Sequence, residues 1–172
     1  NSSTLTIPGV RPANAGSYRV IVTNSVGAAT SSVAMLTVPR VLRAGSAAGD
    51  TGNDVDVPVY LLANGDENAV GFSVGFDPAK VRFIEARSNS APASATLNVN
   101  TNTAASGSIG LALAMSSPQS FAVGTQQLAL LRFRFTSSPG VSALNFGDSP
   151  IVRELVNGAA QPLAMIFQNG SV

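Results

Sequence analysis

The chain is expected to be all-β, closed as a sandwich or barrel, and three observations carry that expectation. Short apolar segments recur between clusters of Gly, Pro, Asn and Ser, which is the pattern of strands and turns. No stretch shows a convincing helical period. The run Ala69–Phe76 alternates strictly, with Val70, Phe72, Val74 and Phe76 on one parity and Gly71, Ser73 and Gly75 on the other. Successive strand side chains point to opposite faces, so this strand has one packed face and one that is almost bare backbone.

Taken in order, the expected strands are Leu5–Ile7, Tyr18–Asn24, Ser32–Val38, Val41–Ala44, Val55–Ala63, Ala69–Phe76 and Val81–Arg87. Asp77-Pro78 separates the last two, because proline cannot donate to a ladder and holds its predecessor extended. Ala95–Val99, Ser108–Met115, Gln127–Thr136, Ala143–Phe146, Ile151–Val156 and Leu163–Gln168 follow. Around Leu128–Leu131 the apolar parity slips. A β-bulge there would return Leu131, Phe133 and Phe135 to the core face, and the other solution is a strand covered on both sides. Val156-Asn-Gly-Ala159 reads as a two-residue hairpin turn, since Asn-Gly tolerates positive φ.

Composition narrows the function classes. The 172 residues can hold one ordinary domain, or one and a fraction. Hydrophobic residues make up 45% and charged residues 11%, against the usual quarter or so for charge. The surface must therefore be built from Ser, Thr, Asn, Gln and Gly, a habit of secreted β-modules. Net charge is +1, and the arginines, with the single Lys80, are scattered, so no basic track for nucleic acid exists. No apolar run is long enough to span a bilayer as a helix, so no membrane insertion is expected. The chain opens at Asn1 with no charged, apolar leader, and any targeting signal is expected to lie outside it.

With no cysteine and no histidine, thiol nucleophiles, Ser-His-Asp triads and His-ligated metals are excluded. The acids are few and sit in turn-like contexts. The expectation is a non-enzyme with no cofactor. Asp50, Asn53 and Asp54, or Asp66, Glu67 and Asn68, offer oxygen ligands at spacing that would suit calcium, with plain turns as the other reading.

A composition shift at Pro39 divides the chain into residues 1–38 and 39–172. In the first part Leu5-Thr-Ile7, Asn14-Ala-Gly-Ser-Tyr18-Arg-Val20 and Asn24-Ser-Val-Gly27 resemble the closing strands of an immunoglobulin-like domain. The resemblance implies a tyrosine corner at Tyr18, whose hydroxyl bonds back to nearby backbone. Asn14 stands at the usual acid and Val20 at the usual cysteine, so the buried disulfide is absent. A few strands with a whole apolar face are not stable alone. They are expected to pack on the neighbouring domain or, by self-association, on a second copy.

Residues 40–172 resemble the cohesin family of the cellulosome. The residues are Val41–Gly45, Gly49-Asp-Thr51, Val55-Asp-Val-Pro-Val59-Tyr-Leu, and Phe72-Ser-Val-Gly-Phe-Asp77-Pro78 with Val81-Arg-Phe. The strand Gly107–Met115, the strand Gly124–Phe135, Ala143-Leu-Asn-Phe146 and the closing Gln168-Asn-Gly-Ser-Val172 continue it. Phe76 replaces a frequent tyrosine. The resemblance implies a nine-stranded jelly-roll β-sandwich that binds a helical protein partner, a dockerin domain, on one flat sheet face. It also implies an extracellular or cell-surface protein.

The bare parity points to the same face. If Val70, Phe72, Val74 and Phe76 fill the core, Gly71, Ser73 and Gly75 face outward. Ile109, Leu111, Leu113 and Met115 leave Gly110, Ala112 and Ala114 outside. Ala95, Leu97 and Val99 leave Thr96 and Asn98, and Leu144 and Phe146 leave Asn145. These nine positions would form a small, uncharged platform for a partner. A carbohydrate-binding sandwich is the second reading, poor in aromatics because there is no Trp and only Tyr18 and Tyr60. A structural spacer in a multidomain surface protein is the third.

Overall fold

A computed structural model describes residues 2–10, 14–88, 95–136 and 140–172. The chain divides into two compact units, Asn1–Pro39 and Arg40–Val172.

The first unit is one interrupted hairpin. Strand β1 (Gly16–Tyr18) pairs with β4 (Ala34–Leu36), and β2 (Ile21–Asn24) with β3 (Gly27–Thr30), all antiparallel. At the interruption the Ser31 hydroxyl accepts from the Val20 amide at 2.9 Å, while the Ser31 amide donates to the Val20 carbonyl. Asn24 closes the turn, its Oδ1 accepting from the amides of Val26 and Gly27. Tyr18 Oη donates to the Asn14 carbonyl at 2.6 Å, so the tyrosine corner is formed without the disulfide. The expected strand Tyr18–Asn24 is thus split at the Ser31 interruption. Leu5–Ile7 is not a strand. Val20, Ile21, Val22, Val26, Val33 and Met35 are each more than half exposed. A single hairpin offers no second layer of its own to bury them.

The second unit is a sandwich of two sheets. One has the order β14 (Met165–Gln168), β5 (Arg40–Ala44), β6 (Asp54–Ala63), β11 (Gly124–Phe135), β8 (Val81–Arg87). The pair β14–β5 is parallel and the others antiparallel. The other sheet has the order β15 (Gly170–Ser171), β12 (Ala143–Gly147), β7 (Glu67–Gly75), β10 (Ser108–Met115), β9 (Ala95–Asn100). Strand β13 (Glu154–Asn157) continues beyond β12 along the same strand β7. The nine strands that the resemblance implies, and the ten read from the residues, become eleven segments, β15 being the addition to the ten. The chain changes sheets between β14 and β15, where a Cβ on Gly170 would collide with the Gly45 carbonyl. The break between β12 and β13 shapes the outer face of the second sheet.

Alternation builds the core. Val57, Val59, Leu61 and Ala63 of β6 and Leu131 and Phe133 of β11 face Val70, Phe72, Val74, Ile109, Leu111 and Leu113 of the other sheet, all at most 2% exposed. Each such side chain contributes roughly 1.5–3 kcal/mol on burial. Phe76 meets Phe133 edge-on at 5.2 Å and Phe72 meets Phe146 at 5.5 Å, within the favoured range for aromatic pairs. The parity slip in β11 is a bulge. Register shifts between Gln127 and Ala129, so Leu128, Ala129, Leu131 and Phe133 all reach the core. Arg132 and Arg134 then point outward to Asp56 and Asp54. The Asn-Gly turn lies one residue later than its sequence suggests. Ala160 N–H donates to the Asn157 carbonyl, Asn157 Oδ1 caps the amides of Ala159 and Gln161, and Ala160, not Asn157, takes positive φ (57°).

Candidate interaction face

Register places all nine expected positions on one face of the β12/β13–β7–β10–β9 sheet. Ala112 lies opposite both Gly71 and Asn98, Gly110 opposite Ser73, and Ala114 opposite Thr96. Asn145 lies opposite Gly75, and Glu154 opposite Gly71. The face is where the alternation put it, but it is not bare.

Residues 148–153, between β12 and β13, arch over the middle of the sheet. Ser73 is fully buried beneath them. Its Oγ donates to the Ile151 carbonyl at 2.6 Å and accepts from the Ile151 amide at 2.8 Å. The Ile151 side chain sits in the space that Gly110 and Gly71 leave open. A Cβ on Gly110 would fall 2.6 Å from Ile151 Cγ1, and one on Gly71 would fall 3.3 Å from Cγ2. Gly71, Ser73 and Gly110 are therefore corrected from platform to socket: their lack of bulk admits the chain's own isoleucine. Thr96, Asn98 and Ala114 remain exposed, and Ala112 is half-buried beside them. Gly75 and Asn145 lie on the far side of the arch, where Asn145 Oδ1 accepts from Asn169 Nδ2 at 2.9 Å.

The arch is tied at its base. Asp148 accepts from Arg153 through Nε at 2.9 Å, through the guanidinium NH2 at 2.8 Å and through the backbone amide at 2.9 Å. These bonds, the side-chain ones foremost, hold the Asp148 carboxyl at about 2, below its ordinary 3.8. The Arg153 guanidinium also lies over the Phe167 ring, 4.8 Å from its centre. Ser108 Oγ fastens the Ser149 carbonyl at 2.7 Å.

Beside the arch runs a shallow groove of about 290 Å³. Ala112, Ala114 and Asn98 form one side, and Ile151, Val152 and Glu154 the other. Val152 is 63% exposed. Glu154 brings the groove its one charge. Sequence reasoning missed Ile151, Val152 and Glu154 because it continued a strand through Ile151–Val156. The correcting signal was present: with Leu155 in the core, a strand through residue 153 would drive Arg153 inward.

The opposite sheet face carries ion pairs among β6, β8 and β11. Asp56 bonds Arg132 and Arg87, and Asp54 bonds Arg134. Hydrogen bonds from these arginines, Arg132 to Asp56 and Arg134 to Asp54, lower both carboxyls. That takes Asp54 out of the calcium set with Asp50 and Asn53. In the second set a guanidinium stands at the carboxylates: Arg40 bonds Asp66 and the fully buried Glu67. Asn68 turns its amide nitrogen to the carbonyls of Met115 and Gln119. Among the described residues no cluster of three or more acids, cysteines or histidines is suited to a metal. No helix there is long and apolar enough to cross a membrane.

Comparison with known proteins agrees with both units. The immunoglobulin I-set domain model matches residues 1–38. No curated protein sequence matches the chain. Solved structures similar to it include the sixth cohesin of Acetivibrio cellulolyticus scaffoldin B in complex with a dockerin, at TM-score 0.66 and 18% identity, over 78% of this chain and 98% of that one. A non-cellulosomal cohesin from the archaeon Archaeoglobus fulgidus superposes at TM-score 0.65 and 18% identity, over 78% and 89%. The CaCohA2 structure from Clostridium acetobutylicum gives 0.62 and 20%, over 77% and 88%. Residues 40–172 thus have the jelly-roll fold of the cohesins, and an immunoglobulin-like hairpin precedes them in the sequence.

Proposed function

We propose that residues 40–172 form a non-catalytic protein-interaction module that takes a dockerin-type partner on the β13–β7–β10–β9 face, in a protein displayed outside the cell. The observation that carries the reading is the character of that face in a cohesin fold. Thr96, Asn98, Ala112, Ala114, Val152 and Val156 make a small, uncharged surface with Glu154 as its single charge. A surface poor in charge loses little solvation when covered. The exposed Val152 beside the groove supplies an apolar contact near its centre. Small side chains at Ala112 and Ala114 let a partner helix approach the sheet closely. A partner with a basic residue beside an apolar stripe would complement Glu154.

The test is capture of purified recombinant dockerins from the same genome by the full chain. Ala112→Arg is expected to abolish capture, because the guanidinium would stand in the groove. Capture that survives Ala112→Arg removes this face from consideration.

A further inference from the structure

The outward face of the other sheet carries a second, differently built site. Strand register aligns four polar side chains in one lateral row: Gln168 of β14 opposite Arg43 of β5, Arg43 opposite Tyr60 of β6, and Tyr60 opposite Gln127 of β11. The adjacent row on the same face reads Ile166, Val41, Leu62 and Thr125. A dish of about 250 Å³ opens between the rows, lined by Val41, Leu62, Tyr60, Arg43, Gln168 and Thr125. Its floor is aliphatic and its rim is phenol, guanidinium, amide and hydroxyl.

Arg43 is the one charged side chain lining the dish. Like Arg19 and Arg82 it makes no ion pair among the described residues, whereas Arg40, Arg87, Arg132, Arg134 and Arg153 do. It lies over the Tyr60 ring, 5.2 Å from the centroid, which fixes the guanidinium beside the dish.

We propose that this dish binds an acidic saccharide, a sugar unit carrying a carboxylate. An aliphatic floor beside an aromatic ring suits the C–H face of a pyranose, and convergent polar groups suit its hydroxyls. The unpaired Arg43 matches a carboxylate in the two-pronged geometry guanidinium favours. Gln168 and Thr125, which line the dish, reach ring hydroxyls. The site lies on the sheet opposite the proposed partner face, so both can be occupied together. A neutral glycan would leave Arg43 without a counter-charge, and selectivity for the acid therefore resides in that residue.

The test is titration of the full chain with an oligogalacturonide and with a neutral cello-oligosaccharide of equal length, followed by amide chemical shifts. The uronide is expected to shift amides at 41–43, 60–62, 125–127 and 166–168, and to bind about tenfold more tightly than the neutral sugar at low salt. Arg43→Gln, an exposed substitution, should erase that preference. Tyr60→Ala should weaken both sugars, with Tyr60→Phe restoring the ring and unchanged melting confirming the fold. Absence of shifts in these four segments, or an unaltered uronide preference in Arg43→Gln, overturns the proposal.

Discussion

Ser73, Gly71 and Gly110 carry the main lesson at the residue scale. Their alternation with Val70, Phe72 and Val74, and for Gly110 with Ile109 and Leu111, was legible in the sequence and fixed which way they point. What covers them was not legible, because the covering residue lies dozens of positions away and reaches them only after the sheet is assembled. The socket makes a definite energetic demand. Gly110→Ala places a Cβ 2.6 Å from Ile151 Cγ1 in a packed spot, and overpacking of that kind costs about 1–3 kcal/mol. Ile151→Ala removes Cγ1 and Cδ1 and leaves Cβ at 3.1 Å, so it should make the same glycine substitution much less costly. A double-mutant cycle by chemical denaturation reads the coupling directly. Additive costs would mean that Ile151 is not seated as described.

At the scale of the element, the arch at residues 148–153 shows where pattern reading stops. A run of apolar residues from Ile151 to Val156 looks like a strand, yet only Glu154–Asn157 pairs with β7. The arch survives because Ser73 satisfies the Ile151 amide and carbonyl in place of a ladder, and Asp148 and Arg153 tie its ends. The β11 bulge was legible from parity alone, since a slip between Leu130 and Leu131 must be absorbed somewhere. The Asn157 turn was placed one residue early because an asparagine can cap a turn as readily as occupy its centre. The arch also sets a pH dependence. The folded Asp148 carboxyl lies at about 2 against an ordinary 3.8, so its bonds with Arg153 contribute fully above the ordinary value and are lost as pH falls toward 2. A pH titration of the Asp148 carboxyl carbon should give a midpoint at about 2, moving up toward 3.8 in Arg153→Ala. A wild-type midpoint at 3.8 would mean the tie is absent.

For the whole molecule, the two outer faces of one sandwich are built differently. One sheet keeps its charges paired in the Asp54–Arg134 and Asp56–Arg132–Arg87 sets, with Arg43 and Tyr60 at the other end of it. The other presents small uncharged residues around a central arch. The all-β class and the core strands followed from alternation. The change of sheet at Gly170 did not, because it depends on a close approach to Gly45 that no local pattern encodes. The central claim is that a dockerin-type partner docks on β9, β10 and the arch. Amide hydrogen exchange of the full chain, with and without a bound recombinant dockerin, tests it most directly. The account predicts new protection at Ala95–Asn100, Ser108–Met115 and residues 151–156, with β6 and β8 unchanged. Protection confined to β5, β6, β11 and β8 would contradict it.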